Sequence, residues 1–172
     1  YPQVFTAGRR MPEFEKSAES DRLRALGAEC FSTERGGLLT WHGPGQLTIY
    51  PITHIGMAVK EYVEFLESII VKVGVHFGVP CRPMEQVGVC TTFGNKKFGF
   101  VGIARRDTVA YHGVSINVCN ELKWFREIVP CGMPDLQVTS LSQESGRTIA
   151  LDDVKSVVVK LFKETPFIKN SS

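Results

Sequence analysis

Residues 87–103 read VGVCTTFGNKKFGFVGI, and this stretch predicts an antiparallel β-hairpin in the middle of the chain. Its two arms, 87–92 and 98–103, are mainly apolar, and the Gly94-Asn95 pair between them is typical of a tight turn. A third extended apolar segment follows at 109–118. The hairpin implies that the strands of the central sheet pair in antiparallel fashion.

Helical patterns lie on both sides of this strand region. Residues 57–74 carry an apolar stripe at spacings of three and four, which predicts a helix packed against a core. A second stripe, from Leu151 to Leu161, predicts a last helix, and two aspartates in its first turn suit the helix dipole. We therefore expect an α/β protein of the α+β sandwich type, with a mixed, largely antiparallel sheet flanked by helices.

The remaining segments give weaker signals. Residues 9–20 are polar and contain Pro12, which favours a loop, and 21–26 favour a short helix that ends at Gly27. Strands are predicted at 28–32 and 47–52, and a short helix at 124–128. No repeat or low-complexity segment interrupts the chain.

Composition limits the possible classes. A chain of 172 residues fits one domain, and its 43% hydrophobic and 22% charged residues are ordinary for a globular protein. A net charge of +2 argues against a nucleic-acid partner, and no apolar run approaches the roughly 20 residues that span a bilayer. The five cysteines include no CxxC pair, so we expect no metal site.

The segment 34–46, ERGGLLTWHGPGQ, is the densest candidate site. Its four glycines and one proline predict a tightly turned loop, which either forms a ligand cradle of backbone N–H groups or is only a structural turn. Arg35 and His42 would be the polar groups of such a cradle. The pattern matches neither GxxxxGK[ST] nor GxGxxG, so nucleotide-binding motifs do not apply.

Two other stretches combine a reactive side chain with an apolar context. Lys96 and Lys97 precede the strand at 98–103, and a lysine that reaches a cleft can lower the pKa of a nearby thiol. Cys131 lies between a short helix and a Gly/Pro turn. Residue chemistry alone leaves the choice of lysine open and favours a buried, structural Cys131.

Four short motifs of this sequence, three of which include the stretches above, together resemble those of the lipoyl(octanoyl) transferase family. The family signature RGGxxTxHGPGQ is matched at 35–46, its lysine-strand motif at 97–102, HGxxxN at 112–117, and PCG followed by TSL at 130–132 and 139–141. They occur in the family's order. The resemblance runs from Tyr1 to about Lys163 and implies the fold of the biotin/lipoate protein ligase catalytic domain.

The resemblance also implies roles for individual residues. Cys131 would be the nucleophile that holds the acyl group as a thioester, Lys97 rather than Lys96 would activate it, and the other four cysteines would be core thiols. The implied substrate-binding residues are Arg35, Gly36, Gly37, Leu38, Leu39, Thr40, Trp41, His42, Phe100, Val101, Gly102, His112, Gly113, Val114 and Ser115.

By the same resemblance, the activity would be transfer of an octanoyl or lipoyl group without ATP, metal or other cofactor. The donor would be octanoyl-acyl carrier protein. The acceptors would be lipoyl domains of 2-oxoacid dehydrogenase E2 subunits and the H protein of the glycine cleavage system. We expect a monomer with no nucleic-acid or membrane partner, mitochondrial if eukaryotic, which we favour, and cytoplasmic if bacterial.

Two departures from the family pattern and three alternatives accompany this interpretation. The family's GVW element is Gly88-Val89-Cys90 here, and its first strand and helix are expected before Tyr1, so residues 1–172 would form one catalytic domain lacking them. The alternatives are an ATP-dependent lipoate or octanoate ligase, an amidotransferase between lipoyl domains, and a non-catalytic acyl-carrier-binding module. ATP dependence and donor choice would separate them.

Overall fold

The computed structural model describes residues 2–165, which form two β-sheets and four α-helices. The nine strands are β1 Val4–Ala7, β2 Glu29–Ser32, β3 Leu39–His42, β4 Gln46–Ile49, β5 Thr53–His54, β6 Cys81–Pro83, β7 Val89–Thr91, β8 Lys97–Arg106 and β9 Val109–Asn117. The helices are α1 Glu13–Ala25, α2 Val59–His76, α3 Leu141–Ser145 and α4 Leu151–Glu164. Two 3-10 turns cover Lys123–Glu127 and Pro130–Gly132.

The larger sheet contains the predicted hairpin. Its strand order is β4-β9-β8-β7-β6, with β5 also pairing with β9, and all of these pairings are antiparallel. Gly94 and Asn95 both have positive φ, 82° and 50°, which the tight turn between β7 and β8 requires. A register shift between Val89 and Cys90 bends β7 beside its neighbour. The predicted hairpin and the third strand, β9, are confirmed.

Helices α2 and α4 cover one face of this sheet. The predicted stripe of α2 is buried at Leu66, Ile70 and Val73, and α4 contributes Val154 and Val158 to the same core. The backbone N–H of Ala58, just before α2, donates to the Glu61 carboxylate and satisfies one free donor of the helix end. Both predicted helices are therefore confirmed, and they fix the back of the large sheet.

The smaller sheet has the order β2-β1-β3, and its β1–β2 pair is parallel. It closes a second core, in which Phe5, Trp41 and Phe100 pack with Phe125 of the first 3-10 turn. The one parallel pair makes the β-structure mixed, while the other pairs are antiparallel. The expected α+β architecture is confirmed.

Two local predictions were wrong. Residues 13–25 form α1, whereas we expected a loop up to residue 20. The helix has no apolar stripe that would predict it, because it is polar and buries only Leu23 fully. The ion pair Glu19–Arg22, one turn apart, supports it instead of an apolar stripe. The segment 34–46 is also not loop throughout, since β3 pairs there with β1.

Within residues 2–165, no helix is long and apolar enough to cross a membrane.

Candidate active site

A cavity of about 850 Å³ opens where the two sheets meet. The small sheet and the β2–β3 connection supply Thr6 and much of 33–42. The large sheet supplies 100–102 and 112–115, and the second 3-10 turn supplies Cys131. All four sequence motifs thus reach one cavity from different parts of the chain. The cavity is the candidate active site.

Cys131 occupies an unusual backbone conformation at the cavity wall. Its φ is 57°, in the left-handed region, and Gly132 follows with φ 74°. Non-glycine residues rarely take this conformation, and such strained positions cluster at functional sites. Gly132 has a second constraint, because a Cβ there would lie 2.5 Å from Leu38 Cδ1. The turn that carries Cys131 therefore packs closely against the Leu38 side chain.

Lys97 places its amine directly beside this thiol. Its Nζ lies 3.7 Å from Cys131 Sγ and donates to the Val87 carbonyl at 2.8 Å, although only 1% of the residue is exposed. The ammonium also lies 5.1 Å from the centre of the Phe100 ring. The lysine predicted from the resemblance is thus the one next to the cysteine.

The neighbouring lysine points elsewhere. Lys96 lies just before β8 and forms an ion pair with Glu144 at 3.2 Å. The Lys97 backbone is fixed by two hydrogen bonds, from its N–H to Gln137 and from the Thr139 N–H to its carbonyl. This short parallel bridge holds the base of the Lys97 side chain in place.

Arg35 adds a second cation near the thiol. Its guanidinium donates to the Thr6 carbonyl and hydroxyl and to Gly36 O, which ties the start of the glycine-rich segment to β1. Burial lowers the pKa of Arg35, and electrostatic attraction to Cys131 opposes that effect. Because arginine stays protonated in proteins, Arg35 supplies a permanent positive charge to the cavity that Cys131 lines.

Two imidazoles face the same cavity, and both are driven toward the neutral form. Burial lowers the pKa of His42, and the nearby Arg35 cation acts in the same direction. Burial likewise lowers the pKa of His112, followed by the charge of Arg35. At neutral pH the candidate site therefore combines two neutral imidazoles with an amine and a guanidinium.

A buried polar network joins the motifs behind the cavity. Gln46 Nε2 donates to Trp41 O and to Asn117 Oδ1, so its Oε1 is the atom that accepts from His42 Nδ1 at 2.7 Å. Asn117 in turn donates to Thr139 O. This assignment leaves His42 Nε2 as a hydrogen-bond acceptor. The network thus gives the spacing of these residues a structural reason, because buried amides satisfy one another's hydrogen bonds.

The structure separates the predicted substrate-binding residues into two groups. The cavity is lined by Arg35, Gly36, Gly37, Leu38, Thr40, His42, Phe100, Val101, Gly102, His112, Gly113, Val114 and Ser115. Leu39 and Trp41 do not line it, because alternate residues of β3 face the second core, where both are buried. Lys97 does not line the cavity, but its Nζ contacts the sulfur of Cys131, which does.

Several residues at or behind the site escaped the sequence analysis. Thr6, Tyr50 and Val87 line the cavity, and Glu67 of α2 accepts a hydrogen bond from the Gly88 N–H at 2.6 Å. Only Glu67 left a signal in the sequence, as a carboxylate within the span of the amphipathic helix, and it is 6% exposed. The others are ordinary residues that the fold brings together.

The remaining cysteines differ in environment. Cys30 and Cys90 are buried and Cys81 is partly buried, with burial as the main cause that raises the pKa of Cys81 to about 11. Cys119 is exposed, so the expectation that all four are core thiols was wrong for this residue. Within the described part of the chain, no group of three or more His, Cys, Asp or Glu side chains could hold a metal ion.

Known proteins resemble this chain over nearly its whole length. A family model described as lipoyl protein ligase A/B catalytic domain matches residues 1–163. The mitochondrial octanoyl-[acyl-carrier-protein]:protein N-octanoyltransferase of Xenopus tropicalis is 38% identical over 167 residues, which cover 95% of this chain and 69% of that protein. The octanoyltransferase of Desulfotalea psychrophila is 39% identical over 172 residues, which cover 95% and 77%.

The fold has solved counterparts. A bi-partite lipoate protein ligase from Thermoplasma acidophilum superposes with a TM-score of 0.76 at 17% identity, over 95% of this chain and 68% of that one. At this identity the likeness concerns the fold alone.

Proposed function

The chain belongs to the lipoyl protein ligase A/B catalytic domain family and transfers octanoyl groups, and we propose that it does so through a thioester on Cys131. The observation that carries this proposal is the 3.7 Å contact between Lys97 Nζ and Cys131 Sγ at the cavity wall. A free thiol is only a few per cent thiolate at neutral pH. Two cations beside the sulfur increase that fraction, since each stabilises the charged form.

The first half-reaction forms the acyl-enzyme. The Cys131 thiolate attacks the carbonyl carbon of the octanoyl thioester on the acyl carrier protein, and a new C–S bond forms as the bond to the carrier sulfur breaks. The carrier leaves as a thiol after taking a proton from the Lys97 ammonium. One thioester replaces another, so this step needs no ATP.

The second half-reaction transfers the octanoyl group to an amine. The side-chain amine of the acceptor lysine attacks the Cys131 thioester, the C–N bond forms and the C–S bond breaks. Lys97, now neutral, takes the proton that the amine loses, and the thiolate–ammonium pair is restored. The same lysine thus acts first as general acid and then as general base.

Apolar groups on the cavity wall suit a medium-length acyl chain. Leu38, Phe100, Val101 and Val114 line the cavity together with Cys131. Each methylene removed from water contributes about 0.8 kcal/mol. A chain of about seven such groups would gain enough from burial for the cavity to select substrates by length.

Lipoyl domains of 2-oxoacid dehydrogenases and the glycine cleavage H protein are the acceptors that we propose. The vertebrate relatives are named for transfer from an acyl carrier protein to a protein acceptor, which supports this proposal. Arg10 lies at the cavity lining, where its charge would attract an acidic carrier. The eukaryotic relatives are named as mitochondrial, and a eukaryotic origin would give this chain the same compartment.

Intact-mass spectrometry tests the proposal directly. The chain is incubated with octanoyl-acyl carrier protein without ATP, and we expect a mass increase of one octanoyl group that hydroxylamine removes. Cys131→Ala should form no adduct, whereas Cys119→Ala, which changes the exposed thiol, should form it as the unmodified chain does. An adduct that persists in Cys131→Ala would show that Cys131 is not the nucleophile. Strict dependence of transfer on ATP would overturn the transferase route in favour of a ligase.

A further inference from the structure

Lys97 is a buried cation whose charge needs compensation. The residue is 1% exposed, and its ammonium donates to one backbone carbonyl, Val87 O, besides its contact with Cys131 Sγ. Burying an ammonium is expensive unless hydrogen bonds and an opposite charge accompany it. In the free protein a thiolate at Cys131 supplies part of that charge. A second source of negative charge would help to hold Lys97 protonated in this state, before the lysine gives its proton to the leaving carrier.

Glu67 is a buried carboxylate on the opposite side of the same peptide. Its Oε1 accepts a hydrogen bond of 2.6 Å from the Gly88 N–H, and the Val87 carbonyl belongs to the same peptide unit as that N–H. One peptide group therefore donates to Glu67 and accepts from Lys97. A carboxylate at the N–H end polarises the peptide and strengthens its carbonyl as an acceptor, because linked hydrogen bonds reinforce one another.

Gly88 makes this arrangement possible. Its φ is 130°, and a Cβ there would lie 2.7 Å from Lys97 Nζ and 2.7 Å from Gly99 O. The peptide can thus approach the lysine only without a side chain at position 88. The carboxylate, the peptide and the ammonium form a compact row from α2 to the cavity wall.

On this geometry we propose that Glu67 is a positioning residue that holds the Lys97 ammonium beside Cys131 through the Val87–Gly88 peptide. The proposal rests on the proposed roles of Lys97 and Cys131. Burial raises the pKa of Glu67 above its ordinary value, and the Gly88 hydrogen bond and the Lys97 charge oppose that rise because both favour the charged carboxylate. The carboxylate acts on the thiol only by keeping the lysine charged.

The other ionisable groups around this row are few among the described residues. Cys131 faces the amine from the 3-10 turn, and Cys90 is the Cα partner of Lys97 on β7. Arg35, which also lines the cavity, interacts electrostatically with Cys131. Glu64 of the same helix acts electrostatically on Glu67.

The experiment measures thiol ionisation directly. Alkylation of Cys131 by iodoacetamide is followed across pH, with site-resolved mass spectrometry to separate it from the other four cysteines. Glu67→Gln keeps an oxygen that accepts the Gly88 N–H but removes the charge. The lysine then loses its proton more readily, and a neutral amine stabilises the thiolate less. The midpoint of alkylation should rise by about half a pH unit or more, with circular dichroism and Tm close to those of the unmodified chain.

Two controls make the result specific. Glu64→Gln is the same substitution on the same helix at an exposed position, and it should leave the midpoint unchanged. In a Lys97→Met background, Glu67→Gln should have no further effect, because the carboxylate acts through the lysine. An unchanged or lower midpoint in Glu67→Gln, or an equal shift without Lys97, would overturn the proposal. Alkylation does not require octanoyl transfer, so failure of the proposed function is seen separately, as absence of the acyl adduct.

Discussion

Gly88→Ala is the substitution that tests the geometry of the candidate site most sharply. The added Cβ would lie 2.7 Å from both Lys97 Nζ and the Gly99 carbonyl oxygen, and real Cβ contacts are rarely shorter than 3.4 Å. Gly99 is part of β8 and cannot yield easily. The lysine amine must therefore move by most of an ångström or more, away from Val87 O and out of its place beside Cys131.

The size of the effect follows from that displacement. A misplacement of about 1 Å at a reacting group can reduce catalysis about 100-fold. We expect a loss of this order in kcat/KM for transfer from octanoyl-acyl carrier protein. The backbone strain of a non-glycine residue at φ 130° adds about 1–3 kcal/mol of destabilisation. Urea unfolding followed by circular dichroism measures that part.

Gly78→Ala is the matched control. Gly78 also has positive φ, 81°, but a Cβ there would meet nothing within 4 Å. It should lose about 1 kcal/mol of stability and keep its transfer rate. If Gly88→Ala transferred octanoyl as fast as Gly78→Ala, the contact between Lys97 and the thiol would not govern the reaction, and our reasoning would be refuted.

Four further substitutions test other parts of the structure. Lys97→Met should lower the rate of octanoyl transfer about 100-fold or more, whereas Lys96→Met should change it little, and equal losses would contradict the assignment. Gln46→Leu removes the partner of His42 Nδ1 and of Asn117 Oδ1, so urea unfolding should show a loss of about 2–4 kcal/mol; an unchanged midpoint would rule out the network. The pKa of His42 is lowered in the folded chain, so below about pH 6.5 the unfolded chain binds this proton more readily than the folded chain does. The Tm should therefore fall as the pH drops below about 6.5. His42→Gln should weaken this dependence, and Tm curves of equal slope would argue against it.

The large sheet and its helices were predictable because their residues follow a regular period. The hairpin at 87–103 and helix α2 are each buried on one side. One-sided burial produces a periodic spacing of apolar residues, which is visible in the sequence. Helix α1 is mostly polar, and β3 is a short strand inside a glycine-rich segment. Their positions depend on tertiary contacts such as the β1–β3 pairing, which no local pattern contains.

The candidate site was predictable in part, through its motifs rather than through periodicity. The resemblance named Cys131 and Lys97, and the structure brings the two together at 3.7 Å. It also named a continuous run from Arg35 to His42, and only the alternation of β3 separates Trp41 and Leu39 from the cavity lining. Glu67 lies outside every motif, and its importance follows from a single shared peptide that only the coordinates reveal.

The reacting pair straddles the boundary between the two sheets. Lys97 begins a strand of the larger sheet, while Cys131 packs against the core of the smaller one. Native proteins open in cooperative parts of unequal stability, and the smaller sheet, built from four-residue strands, is a natural candidate for the weaker part. If it opens first, acyl transfer disappears while the larger sheet still protects its amides from exchange. Catalytic activity would then report the integrity of the junction between the sheets, separately from the survival of the fold.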